Sequence, residues 1–226
     1  MTNTLHRFGG PESLRDDYIV FIVPARDVND KGAPDKVHAF LKTAVKYNPV
    51  NIGNGTVGSI YTPEKDLSFI KAYFTGRNEK LQTEEAVEAF KNSGVATVVF
   101  DNREDMESFL KDIKGLDLGL SVNVSALADD VKKACRNIDI NLHSIEYSLG
   151  FQGDLYRLSD RHVLALTTMC GHGMISANFA RKLIDYIKEA RVSPENAAKY
   201  MAKFCVCGAF NTTRAIRILK EARMAN

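Results

Sequence analysis

The residues best suited to chemistry lie late in this 226-residue chain, in Cys170-Gly171-His172-Gly173 and Cys205-Val206-Cys207-Gly208. A thiolate is both a nucleophile and a soft metal ligand. Gly171 and Gly173 let the backbone turn sharply around His172 and let a ligand approach closely. Cys170 is expected where a strand ends and a helix begins, a place whose free N–H groups and dipole favour an anion. That anion is either the Cys170 thiolate itself, with a lowered pKa, or a phosphate or carboxylate on a substrate. Cys207-Gly208 repeats the theme at the junction of two helices.

Several chemistries stay open on these residues. Cys170, Cys205 and Cys207, with His172 as a candidate fourth ligand, have the softness wanted by zinc or an iron–sulfur cluster, although Cys-x-Cys is not the usual spacing. Without metal, Cys170, His172 and Cys207 would form a catalytic group built on an activated thiol. Cys205 and Cys207 would point about 200° apart in a regular helix, so their meeting requires Gly208 to end that helix. Gly171, Gly173, Asn211 and Arg214 are candidate ligand or cofactor contacts. Arg214 is placed to bind a carboxylate or to depress a thiol pKa, with a surface ion pair as its plain alternative. Cys135, four residues after Val131 on a helical face, reads as core.

Met169-Cys170-Gly171-His172-Gly173 resembles the catalytic motif of the proline racemase family, in which a Cys-Gly-His and a second Cys-Gly act as a pair of acid/base thiols. Cys207-Gly208 would be the second member. The resemblance covers five residues plus two, and the rest of the chain does not follow it. It implies a cofactor-independent racemase or epimerase chemistry as one alternative.

Other motifs are weaker. Gly53-Asn54-Gly55-Thr56-Val57-Gly58 has the letters of a dinucleotide fingerprint, but Ser59 to Pro63 is extended where a helix should open. It reads as a turn, or as the ligand-facing loop of a non-catalytic binding protein. His143, Ile145 and Tyr147 share a face of an expected strand. Arg26-Asp27 and Asn123 are expected at strand C-termini, the edge where α/β sheets bind ligands.

The elements that must position these groups follow from periodicity. Tyr18 to Val23 and Val95 to Phe100 are buried strands, both followed by a loop and a helix. Helices are expected from Pro34 to Lys46, Glu84 to Asn92, Glu104 to Ile113 after an Asn102 cap, and Ala126 to Arg136. Leu67 to Phe74 is read as helix, Asn48 to Gly58 as loop or turns. Leu118 to Val124, Leu142 to Ser148 and Val163 to Met169 are read as strands. Three helices close the chain, with Ser193-Pro194 opening the second and Asn211 the third. The fold class is therefore α/β or α+β: a layered mixed sheet with flanking helices and a three-helix C-terminal segment. It is expected as one domain, 1–169 holding the sheet and 170–226 the thiol site.

Apolar residues make up 45% and charged residues 26% of the chain, with a net charge of +2. That composition is ordinary for a globular protein, and the charge gives no basic field for nucleic acid or an anionic membrane. No apolar run reaches the ~18–20 residues of a membrane span. The polar N-terminus has no signal-peptide core. The four cysteines are not spaced as a disulfide framework, so a reducing cytoplasmic compartment is expected. The expectation is an enzyme acting on a small anionic metabolite through the late cysteines, with no nucleic-acid or membrane partner and homo-oligomerisation left open.

Overall fold

The computed structural model describes residues 6–61, 83–90, 94–150 and 152–225. The expected helix Leu67 to Phe74 lies outside the described residues. In chain order the elements are α1 (Pro11–Leu14), β1 (Tyr18–Val23), α2 (Ala33–Val45), β2 (Asn51–Asn54), β3 (Gly58–Ser59), α3 (Thr83–Ala89) and β4 (Ala96–Phe100). They continue with α4 (Arg103–Leu116), β5 (Ser121–Ser125), α5 (Ala128–Asn137), a 3-10 turn at Leu155–Arg157, α6 (Arg161–Thr167), α7 (Ala177–Lys188), α8 (Pro194–Ala202) and α9 (Thr212–Met224).

The five strands run in the order β3-β2-β4-β1-β5, and every pairing is antiparallel. β1 and β2 therefore point the same way with β4 inserted between them. β4 and β5 likewise share a direction with β1 between them. These are two interleaved split β-α-β units, with α2 and α4 as their crossovers. The two stretches that each begin strand–loop–helix, from Tyr18 and from Val95, are the first strands of the two units. The architecture is α+β. The rule that ligands sit at the carboxyl edge of a parallel sheet does not apply here, so it lends nothing to Arg26, Asp27 or Asn123.

Alternation along β1 divides the core. Tyr18, Val20 and Ile22 face one side with Val98 and Phe100, under Val37, Phe40 and Leu41 of α2 and Met106, Phe109 and Leu110 of α4. Ile19, Phe21 and Val99 face the other side, under α6 to α9. The sheet is thus a middle layer between two helical ones. Caps set several boundaries. Asn102 accepts from the Asp105 N–H, Ser176 from Phe179, Ser193 from Asn196 and Asn211 from Arg214.

Three expectations are corrected. Val163 to Met169 is not a strand: Arg161–Thr167 is a helix capped by Asp160, which accepts from the His162 N–H at 2.8 Å. Val163 and Leu166 are three apart and both buried, and so short an apolar run carries no period that separates helix from strand. The helical layer therefore begins at Arg161, with four helices rather than three. Leu142 to Ser148 is an irregular, exposed segment with no ladder among the described residues. Its alternation does not make a strand without a neighbouring edge to pair with. Asn51–Asn54, expected as loop, is a fully buried strand.

Candidate functional site

β2 explains why its composition misled. Its residues suit the surface they meet rather than strand propensity. Asn51 donates from Nδ2 to the Phe210 carbonyl at 2.9 Å, and Asn54 donates to the Phe90 carbonyl at 3.3 Å. Gly53 lies against the Cys207-Gly208 backbone, where an added Cβ would sit 2.5 Å from the Cys207 carbonyl carbon and oxygen. The Gly53–Gly58 segment is a β-hairpin whose first glycine serves backbone-to-backbone contact. It does not open a helix and is no nucleotide cradle.

This contact presses the Cys205–Gly208 turn into the core. The turn closes with the Gly208 N–H donating to the Cys205 carbonyl at 3.1 Å, and Gly208 takes φ +75°. Cys170 lies on the loop between α6 and α7, closed by the Gly173 N–H donating to the Cys170 carbonyl at 3.0 Å. Neither cysteine sits at a helix N-terminus. Cys170 precedes α7 by several residues and Cys207 precedes the Asn211 cap of α9, so the helix-dipole argument fails for both. Loop amides take that role instead.

The three late thiols form one cluster. Cys205 is 0% exposed, and Cys170 and Cys207 are 3% exposed each. The Cys205 and Cys207 sulfurs are 3.7 Å apart. Cys170 belongs to the same buried core. The Cys205 pKa is pushed well up by the neighbouring Cys170 and Cys207 thiols and by burial, so Cys205 keeps its proton. The neighbouring Cys205 thiol lowers Cys170 to about 5, helped by the Met174 and His172 backbone N–H groups and the His172 charge, against the opposing effect of burial. The same neighbour lowers Cys207 to about 6, with the Ala209 N–H and the His172 charge assisting and burial opposing. All three thiols lie inside an apolar cluster that includes Met169, Ile175, Met201 and Phe210.

The other expected site residues divide. His172 is exposed at the mouth of the Cys170 loop with Gly171 and Gly173. Arg214 is no surface ion pair: it is 0% exposed and donates to Asp17 at 2.9 Å, to the Phe8 carbonyl at 2.7 Å and to Ser13. Asn211 is also fully buried, donating to the Asp16 carbonyl and to Asp17 while capping α9. Both side chains are engaged by the protein itself, which leaves neither as the expected anion contact. Cys135 is buried on α5, and burial raises its pKa.

Arg7 was not anticipated. Its guanidinium donates to the Met169 carbonyl and, at 2.5 Å, to the Ala209 carbonyl. These are the residues beside Cys170 and beside Gly208, so one side chain ties the two thiol loops together. Asp17 lies 3.3 Å from Arg7 Nε and is shared with Arg214, so one buried carboxylate faces two guanidinium groups. Nothing local in the sequence announces Arg7, because its partners are backbone carbonyls more than 160 positions away.

Among the described residues, no group of three or more His, Cys, Asp or Glu side chains is arranged to hold a metal ion. The zinc and iron–sulfur expectations for Cys170, Cys205 and Cys207 gain no support from this geometry. All four cysteines are free. No helix among the described residues is long and apolar enough to cross a membrane. No protein-family model, curated protein or solved structure matches this chain.

Proposed function

We propose that this protein is an enzyme of thiol chemistry in which Cys170 is the reactive thiolate, Cys205 the proton-holding partner and Cys207 a second stabilised thiolate. The observation that carries the reading is the cluster itself: the Cys205 and Cys207 sulfurs lie 3.7 Å apart, buried in one core with Cys170. A filler cysteine needs none of these partners. His172, exposed beside Cys170, is the group positioned to meet a polar or anionic substrate. Four free cysteines support a reducing, cytoplasmic setting.

The geometry favours this over a racemase-like acid/base pair. Such a pair needs a substrate carbon held between two thiols, yet Cys170 and Cys207 are both buried and the Cys207 sulfur has the Cys205 sulfur 3.7 Å away.

The test is the pH profile of Cys170 alkylation by iodoacetamide, followed by peptide mass spectrometry. A thiol lowered to about 5 is already mostly thiolate at pH 6. Its rate should change less than about twofold between pH 6 and pH 9, while a free cysteine peptide rises on the order of 200-fold. Burial slows the rate but leaves the shape of the curve intact. A Cys170 profile that climbs in parallel with the free cysteine would sink the proposal.

A further inference from the structure

We infer that a cavity of about 650 Å³, walled by the N-terminal segment, the irregular segment before α6, α6 itself and α9, is a binding site for a small amphipathic monocarboxylate. The site is separate from the thiols and independent of their chemistry. Its volume lies within the range of about 300–1,000 Å³ in which proteins hold small ligands. The wall is of two kinds. Phe8, Leu14, Ala165 and Ile218 give an apolar surface that suits a hydrocarbon body. Ser13, Ser148, Arg161 and His162 give a polar one that can fix a head group.

Charge decides which head group fits. Among the described residues, the ionisable side chains of the wall are Arg7, Arg161, His162 and Glu221. Arg7 pairs with Asp17 at 3.3 Å, and Glu221 with Arg217 at 3.3 Å. The Asp160 carboxylate accepts from His162 Nδ1 at 3.2 Å, which leaves Nε2 as the ring nitrogen open to a ligand. Arg161 makes no ion pair or hydrogen bond among the described residues. Its guanidinium offers a fork of N–H donors that matches a carboxylate through two parallel hydrogen bonds. One unmatched cation selects a monoanion, because a phosphate dianion brings one charge more than the wall can match. The serines agree with an anionic head. Ser13 Oγ accepts from Arg214 at 3.1 Å and Ser148 Oγ from the Gly150 N–H at 3.3 Å, so each keeps its own O–H to donate. A solvated surface arginine needs no cavity beside it; the juxtaposition of that cation with an apolar hollow carries the inference.

The experiment titrates the full chain with decanoate, octanoate and decylamine at neutral pH, read by calorimetry and by backbone amide shifts. Decanoate should bind with a Kd below about 1 mM. It should bind on the order of 10-fold more tightly than octanoate, the worth of two buried methylenes. Decylamine, with the same body and the opposite charge, should bind at least about tenfold more weakly than decanoate. The amides of Gly9, Gly10 and Gly150 in the wall should shift, while those of Gly119 and Gly173 outside it stay still. Arg161→Gln should weaken decanoate by about 10- to 100-fold, the worth of a hydrogen-bonded charge. Because Arg161 makes no ion pair or hydrogen bond among the described residues, that variant should keep the parent's melting temperature, so lost binding reports the site and not the fold. A decanoate Kd above about 1 mM, equal affinity for decylamine, shifts confined to residues outside the wall, or an Arg161→Gln protein that binds as the parent does would each overturn the inference.

Discussion

Gly53→Ala tests whether the thiol cluster is set by tertiary contact. The new Cβ would lie 2.5 Å from the carbonyl carbon and oxygen of Cys207 and 2.6 Å from the Gly208 Cα. Ordinary contact needs about 3.5 Å or more, so the two backbones must part by roughly 1 Å. β2 is held by β3 on one side and β4 on the other, so the Cys207-Gly208 turn is the partner that moves. Overpacking of this kind costs about 1–3 kcal/mol. Stretching the Asn51–Phe210 hydrogen bond adds about 1 kcal/mol. For a chain of this size, each kcal/mol shifts the melting temperature by about 2–4 °C, which gives a fall of about 5–15 °C. Gly115→Ala is the control. That glycine lies in the last turn of α4 with open space around it, so alanine should raise the melting temperature slightly. Thermal unfolding by circular dichroism reads both variants. Site-resolved alkylation should show Cys207 labelling faster in Gly53→Ala, while Cys170 keeps its flat pH profile. A Gly53→Ala protein melting within about 2 °C of the parent, with Cys207 no more reactive, would refute the close-approach argument.

The buried charges give two more tests. Asp17→Asn leaves Arg7 and Arg214 facing each other without their shared carboxylate, and should lower stability by about 3–5 kcal/mol, read as a denaturant midpoint. Arg7→Gln releases the Met169 and Ala209 carbonyls, so Cys170 and Cys207 should both alkylate faster than in the parent, with a loss of about 1.5–3 kcal/mol in stability. Equal labelling rates in that variant would show that Arg7 does not hold the thiol loops.

Much of the frame was readable in the residues. Tyr18–Val23 announces itself as a continuous β-branched and aromatic run, and α4 by Met106, Phe109, Leu110 and Ile113 on one face behind an Asn102 cap. Such signals are local, and the physics behind them acts within a few residues. The failures are equally specific. Val163 to Met169 was too short for a period to decide helix against strand. Leu142 to Ser148 had the strand pattern without a partner. Asn51–Asn54 had a partner without the pattern: its Asn and Gly side chains suit the Phe210 carbonyl, the Phe90 carbonyl and the Gly208 backbone.

The thiol site shows the same division. Residue type and spacing alone singled out Cys170, His172, Cys205 and Cys207, because glycine-flanked cysteines mark backbone turns and reactive chemistry at once. The sequence also determined that Asn211 starts the last helix, whereas α8, expected to run on to Gly208, closes at Ala202, ahead of Cys205. Only the tertiary structure decided that the Cys205 and Cys207 sulfurs meet at 3.7 Å in one core with Cys170, that the thiols sit on loops rather than at helix ends, and that Arg214 is a structural charge. It alone brought Arg7 to the site. The reason is distance along the chain: these contacts join residues 160 to 200 positions apart, and a local pattern carries no information about which distant backbone will face it.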